Sequence, residues 1–117
     1  MDIHVGTSGF SFPGWRAQVY PHTLKPEQML PYYCQRLGFD CVELNGSFYH
    51  MPSEKSLATL AARTTEGFGF MVKANQAFTH NRFQANAARF QEFLGALRPL
   101  AEAGKLRGLL AQFPPDF

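Results

Sequence analysis

The chain has 117 residues, 45% of them hydrophobic and 17% charged, which fits one globular domain and excludes an intrinsically disordered segment. Its net charge of +2 carries no polybasic signature for nucleic acid or a membrane surface. No run approaches the ~18 apolar residues of a membrane span. The two cysteines, Cys34 and Cys41, lack both metal-ligand and disulfide-framework spacing. They read as buried thiols in a reducing compartment, and with no leader-like segment ahead of the first strand this predicts a cytoplasmic location.

In chain order, the patterns predict a strand over 2–7 and a helix over about 26–38. Pro31 falls inside that helix, so either the helix bends there or Pro31 is its first-turn residue. A strand over 40–45 follows, then a helix over 53–63 with Ser53 as N-cap and Leu57, Leu60 and Ala61 as its apolar stripe. A strand over 67–74 precedes a helix over 86–103, which carries Phe90, Phe93, Leu94, Leu97 and Leu100 and should kink at Pro99. A fourth strand is predicted over 106–112. Alternating strands and helices predict a parallel α/β sheet in strand order 1-2-3-4.

The four strand segments IHVGTS, CVELN, FGFMVK and LLAQ share one register. One face carries Ile3, Val5, Val42, Leu44, Phe68, Phe70, Val72, Leu109 and Ala111 and is wholly apolar. The other is mixed and turns polar at the C-terminal end of each strand, at Ser8, Asn45, Lys73 and Gln112. Such a sheet covers one face with helices and holds its ligand site at the C-terminal edge.

The segments GTSGFSFPGW, VYP, VELNGSFYHMP, KANQAFTH and LLAQFPPDF, taken in order from about residue 3 to 117, resemble the YecE-like family of TIM-barrel proteins, also called domain of unknown function 72. Departures are mild: Gly46 stands where the family usually has a small polar residue, and Phe10 where another aromatic is common. The resemblance implies an eight-stranded barrel, of which residues 1–117 form a single partial domain, the N-terminal half with the first four strands. A whole barrel takes about 250 residues. No reaction is implied.

Glu43 and Lys73 are the candidate catalytic pair. Both sit on the mixed face near strand ends, where a desolvated carboxylate suits acid/base work and a lysine can clamp an anionic group. Neighbouring strands lie about 5 Å apart, so the two could also pair directly. Asn45 and Gln112 can orient a ligand through hydrogen bonds. Thr7 and Ser8 offer a small-residue turn whose backbone N–H groups could approach a ligand. Among the loop aromatics Phe10, Phe12, Trp15, Phe48, Tyr49 and Phe78, Trp15 and Tyr49 are the candidates for stacking on one. His80 is a candidate base or anion donor beside the third strand end. No HxH, HExxH or carboxylate cluster marks a metal site, and no cofactor is expected.

These residues predict an unidentified small polar or anionic ligand at the strand ends. A nucleic-acid-binding or nuclease-like protein is the alternative, with Arg16, Arg82 or Lys73 on phosphates, although it lacks a basic stripe. A second alternative is a half barrel without activity of its own, whose exposed edges lead it to self-associate.

Overall fold

A computed structural model describes residues 2–116 of the chain. Its four strands form one all-parallel sheet in the order β1-β2-β3-β4, as the alternation predicts. They span Gly6–Thr7, Cys41–Leu44, Gly69–Lys73 and Leu106–Leu110. The helices are α1 (Pro26–Gln35), α2 (Gly46–Tyr49), α3 (Glu54–Ala62), α4 (Gln76–Thr79), α5 (Ala87–Ala96) and α6 (Arg98–Glu102), with short 3-10 turns at Pro13–Trp15 and Arg82–Gln84.

The core lies on one side of the sheet. Val42, Phe70 and Val72 are buried against Leu30 and Tyr33 of α1, Leu57 and Ala61 of α3, Phe93 of α5 and Leu100 of α6. On the other side, Glu43, Met71, Lys73 and Gly108 are only half-buried, because no layer among the described residues covers them. In β2 and β3 the apolar and mixed faces read from the alternation are thus the packed and open faces, whereas Leu109 and Ala111 of the apolar set are exposed at the edge of the sheet.

β1 is shorter than the alternation predicts, and Ile3 and Val5 are exposed. The reason is Asp40. Its carboxylate accepts the Val5 N–H at 2.8 Å and meets the His4 ring at 2.9 Å, and its own N–H donates to Val5 O at 3.2 Å. A side chain thus stands in for the ladder carbonyl one residue before pairing starts. The same two groups hold the Asp40 carboxyl below its usual range, the His4 bond first and the Val5 amide second.

Of the two readings of the first helix, Pro31 as its first-turn residue does not hold: Pro26 takes that position and Pro31 lies inside the helix. The helix also stops earlier, at Gln35, where Gly38 at φ +80 turns the chain back. Ser53 caps α3 as expected, its hydroxyl accepting the Ser56 N–H at 3.1 Å. The last helix is broken rather than kinked. α5 ends at Ala96, and Pro99 sits in the first turn of α6, where its missing N–H costs no helical bond.

β4 carries a bulge. Phe70 pairs with Leu106 but Met71 with Gly108, so Arg107 is the extra residue. Its side chain fills the space a Cβ would take at Gly69 and bonds Gly104 O at 2.6 Å and Gly67 O at 3.0 Å. Met71 in turn folds across Gly108.

β1 and β4 are the two edges of the sheet, and both present unpaired backbone groups. Leu109 and Leu110 on β4 are 42% and 36% exposed. The 117-residue chain is therefore expected to self-associate. Light scattering after size exclusion checks this, and a monodisperse species of 13.2 kDa contradicts it.

Candidate functional site

The C-terminal edge of the sheet is laced by side chains bonded to backbone carbonyls. Asn45, just past β2, donates from its amide nitrogen to Ser8 O at 2.6 Å. Ser47 on α2 donates to Lys73 O at 2.6 Å and lies 3.2 Å from Leu44 O. Asn75 is buried; its amide nitrogen donates to Ser47 O at 3.0 Å, while its oxygen accepts the Ala77 N–H and so caps α4. The strand ends and the one-turn helices α2 and α4 are thereby tied into one rim.

Thr7 serves the same rim from below. Its hydroxyl donates to Gly9 O at 2.6 Å, and its N–H donates to the Tyr33 hydroxyl at 2.8 Å. Tyr33 is fully buried and its hydroxyl donates to Cys41 O at 2.9 Å, so one phenol bridges β1 and β2. Burial is the main reason its pKa is raised, which keeps the bridge protonated. Tyr20 fixes the loop after β1 in the same manner. Its buried hydroxyl donates to Phe10 O at 2.5 Å, with a pKa pushed up to about 12 by burial and then by Tyr33.

Against this rim lies a cavity of about 540 Å³. Ser8 to Phe12 of the first loop form one wall, the end of β2 and the start of α2 its floor, and α3 the far side. Glu43 and Asn45 line it. Among the described residues the half-buried Glu43 carboxylate has no hydrogen bond and no ion pair. A carboxylate in a concave site without a protein partner is available to a ligand.

Lys73 lies on the same face, one residue row beyond Glu43. The pairing Glu43–Met71 and Leu44–Val72 sets Lys73 level with Asn45, and Lys73 itself pairs with Leu110. The direct ion pair expected between Glu43 and Lys73 is absent among the described residues. The ammonium instead sits 4.6 Å from the centre of the Phe48 ring. Tyr49 and His80 meet that ring edge-on, at 5.0 and 5.1 Å. His80 also bonds the Thr79 hydroxyl at 2.9 Å. Two neighbouring groups result: an acidic cavity at β1–β2 and a basic aromatic platform at β2–β3.

Of the other candidates, Tyr49 belongs to the platform, and Trp15 and Gln112 lie apart from the cavity. Trp15 is packed parallel to Tyr33, 6.4 Å between ring centres, and against Phe12 and Tyr20, so it ties the first loop to the core and does not line the cavity. Tyr49 is 62% exposed. Gln112 is exposed beyond the end of β4. Phe78 joins the core beside Phe90 and Phe93. The side chain of Arg82 lies outside the described residues. No cluster of metal-ligating side chains occurs among the described residues, and no helix there is long and apolar enough to cross a membrane.

Ser47, Asn75 and Tyr33 were not among the sequence candidates. Asn75 carried a readable signal, an Asn before the helix-forming run QAFT. Ser47 and Tyr33 carried none, since only the folded chain brings them to the strand ends.

Residues 4–117 match the model of a family described as protein of unknown function DUF72. The chain is similar to the UPF0759 protein YunF of Bacillus subtilis, at 32% identity over 98% of this chain and 41% of that protein. Its structure is similar to that of the DUF72 family protein TM1631 of Thermotoga maritima, with a TM-score of 0.80 and 41% identity over 95% of this chain and 44% of that one. The DUF72 family protein EF0366 of Enterococcus faecalis shares the fold, with a TM-score of 0.66 at 24% identity. The chain therefore spans less than half the length of these relatives, over a common arrangement of sheet and helices, and it belongs to the DUF72 family.

Proposed function

We propose that the rim at the C-terminal strand ends is a binding site for a small polar or anionic molecule, in a sheet that supplies the first four strands of an eight-stranded barrel. Glu43 is the acid/base candidate and Lys73 the charge clamp. The observation that carries this reading is Glu43, which lines a cavity with its carboxylate unpartnered among the described residues, on the same sheet face as an ammonium that stands against an aromatic ring. Opposite charges left uncompensated so near one another are groups that a ligand completes.

Because no ion pair joins them, Glu43→Gln and Lys73→Met should each change stability by less than about 0.5 kcal/mol, the usual range for a substitution away from a buried network. A ligand held by either group should lose at least roughly tenfold in affinity, the loss of one charge-assisted contact. The measurement is a ligand-observed NMR screen of small polar and anionic compounds, repeated on both variants beside thermal melts. Hits insensitive to both substitutions, or variants that melt far below the parent, would remove these residues from the site. A short single-stranded oligonucleotide in the same screen, bound in a strongly salt-dependent way, would favour the nucleic-acid reading instead.

A further inference from the structure

We infer that the cavity beside Glu43 takes a small organic cation, a primary amine or amidine carried on an apolar body. This rests on the reading of the rim as a ligand site and goes further by assigning the charge and shape of what enters.

The charge follows from the lining. Glu43 is the one carboxylate or ammonium side chain on the cavity wall, while Lys73 and its Phe48 platform lie outside it. Several of the donors around Glu43 are committed. The Asn45 amide nitrogen is used on Ser8 O, and the Ser47 hydroxyl on Lys73 O. Ser53 and Ser56 bond each other and the local backbone at the start of α3. Both Glu43 oxygens and Asn45 Oδ1 remain as acceptors, beside the Ser8 and Ser11 hydroxyls and the His50 ring, which also line the cavity. The negative charge of Glu43, flanked by hydroxyls that can also accept, is matched by a positive head group carrying N–H donors.

The shape follows from the rest of the wall. Phe10 and Phe12 on the first loop, Leu44 at the floor, and Met51, Leu57 and Leu60 towards α3 supply an apolar lining. Phe12 is folded back over Gly9, whose φ of +150 leaves no room for a side chain there: a Cβ would lie 2.5 Å from the ring. That placement makes the ring part of the wall. The volume of about 540 Å³ is in the range of small-molecule sites, roughly 300–1,000 Å³. A purely polar ion would leave this lining wet, and an anion would face Glu43 directly.

The test compares three probes with one body and three heads: 2-phenylethylamine, 2-phenylethanol and 3-phenylpropanoate. Binding to the 117-residue protein is followed by chemical-shift changes at the amides of Glu43, Asn45 and Leu57. The amine should bind at least about tenfold tighter than the alcohol, and the carboxylate should bind weakest. Glu43→Gln should erase the advantage of the amine and leave the alcohol unchanged. Met51→Ala should weaken amine and alcohol alike. Equal binding of all three probes, or preference for the carboxylate, would overturn the assignment even without a variant. A carboxylate that binds at the rim and is lost on Lys73→Met would sink this inference and leave the broader ligand-site reading standing. No shift with any probe, together with no hit in the polar screen, would sink both.

Discussion

Replacing Lys105 with methionine should destabilise the fold by about 3 kcal/mol, although no carboxylate among the described residues pairs with it. Lys105 is 8% exposed, and its ammonium donates to Ala61 O at 2.7 Å, Thr64 O at 3.0 Å and Thr64 Oγ1 at 2.9 Å. All three protons are used. The acceptors sit at the end of α3, where carbonyls lack helical partners and the helix dipole favours a cation. The same residue joins α6 to the sheet, its N–H donating to Leu100 O and its carbonyl accepting from Phe70 N. Methionine keeps the stem but removes the donors. Ala61 O retains the Thr64 hydroxyl, whereas Thr64 O loses its ammonium partner. Hydrogen bonds to a charged group contribute roughly 1.5–3 kcal/mol each and are not additive. Against that loss stands relief from burying an ammonium, which makes some buried charges dispensable. Three satisfied donors decide the sign. Urea denaturation gives the answer, and an unchanged midpoint would mean that desolvation cancels the network.

Gly6→Ala should cost at least about 3 kcal/mol, for a different reason. A Cβ at Gly6 would lie 1.9 Å from Cys41 O, 2.6 Å from Cys41 C and 2.8 Å from Cys41 Sγ. Two of these atoms are backbone, so no rotamer relieves the overlap, and β1 must part from β2 at the Gly6–Cys41 pair. Overpacking typically costs 1–3 kcal/mol, and a clash with backbone belongs at or above the upper end of that range. Parting the strands also pulls Thr7 from the Tyr33 hydroxyl. Gly95→Ala is the control. It lies in α5 with nothing within 4 Å of the new methyl and should stabilise by about 0.5 kcal/mol. Melts that fall for Gly95→Ala or hold for Gly6→Ala would show that glycine content, not strand spacing, governs these positions.

The packed face of the sheet was legible because burial and alternation coincide at Val42, Phe70 and Val72. Ser53 announced α3, and the last helix ends at Glu102, within a residue of the predicted 103, with Gly104 at φ +70 beyond it. The length of β1 was not legible. Ile3 and Val5 alternate like a strand, yet whether a residue pairs depends on its neighbour, and here Asp40 intercepts the ladder. α2 and α4 escaped because one turn has no periodicity to detect. Glu43 could be placed on the open face from parity alone. Its separation from Lys73 could not, since that depends on where Phe48 sends the lysine side chain, and Phe48 belongs to one of the missed turns.

The rim has a consequence for protein engineering. Asn45, Ser47 and Asn75 hold the strand ends through the carbonyls of Ser8, Lys73 and Ser47 itself, and a carbonyl is present whatever side chain its residue carries. Positions 8 and 73 can thus be randomised in a library without removing an acceptor, while 45, 47 and 75 are kept constant as a chassis. A new specificity could be selected at the rim on a frame whose anchors do not depend on the residues being varied.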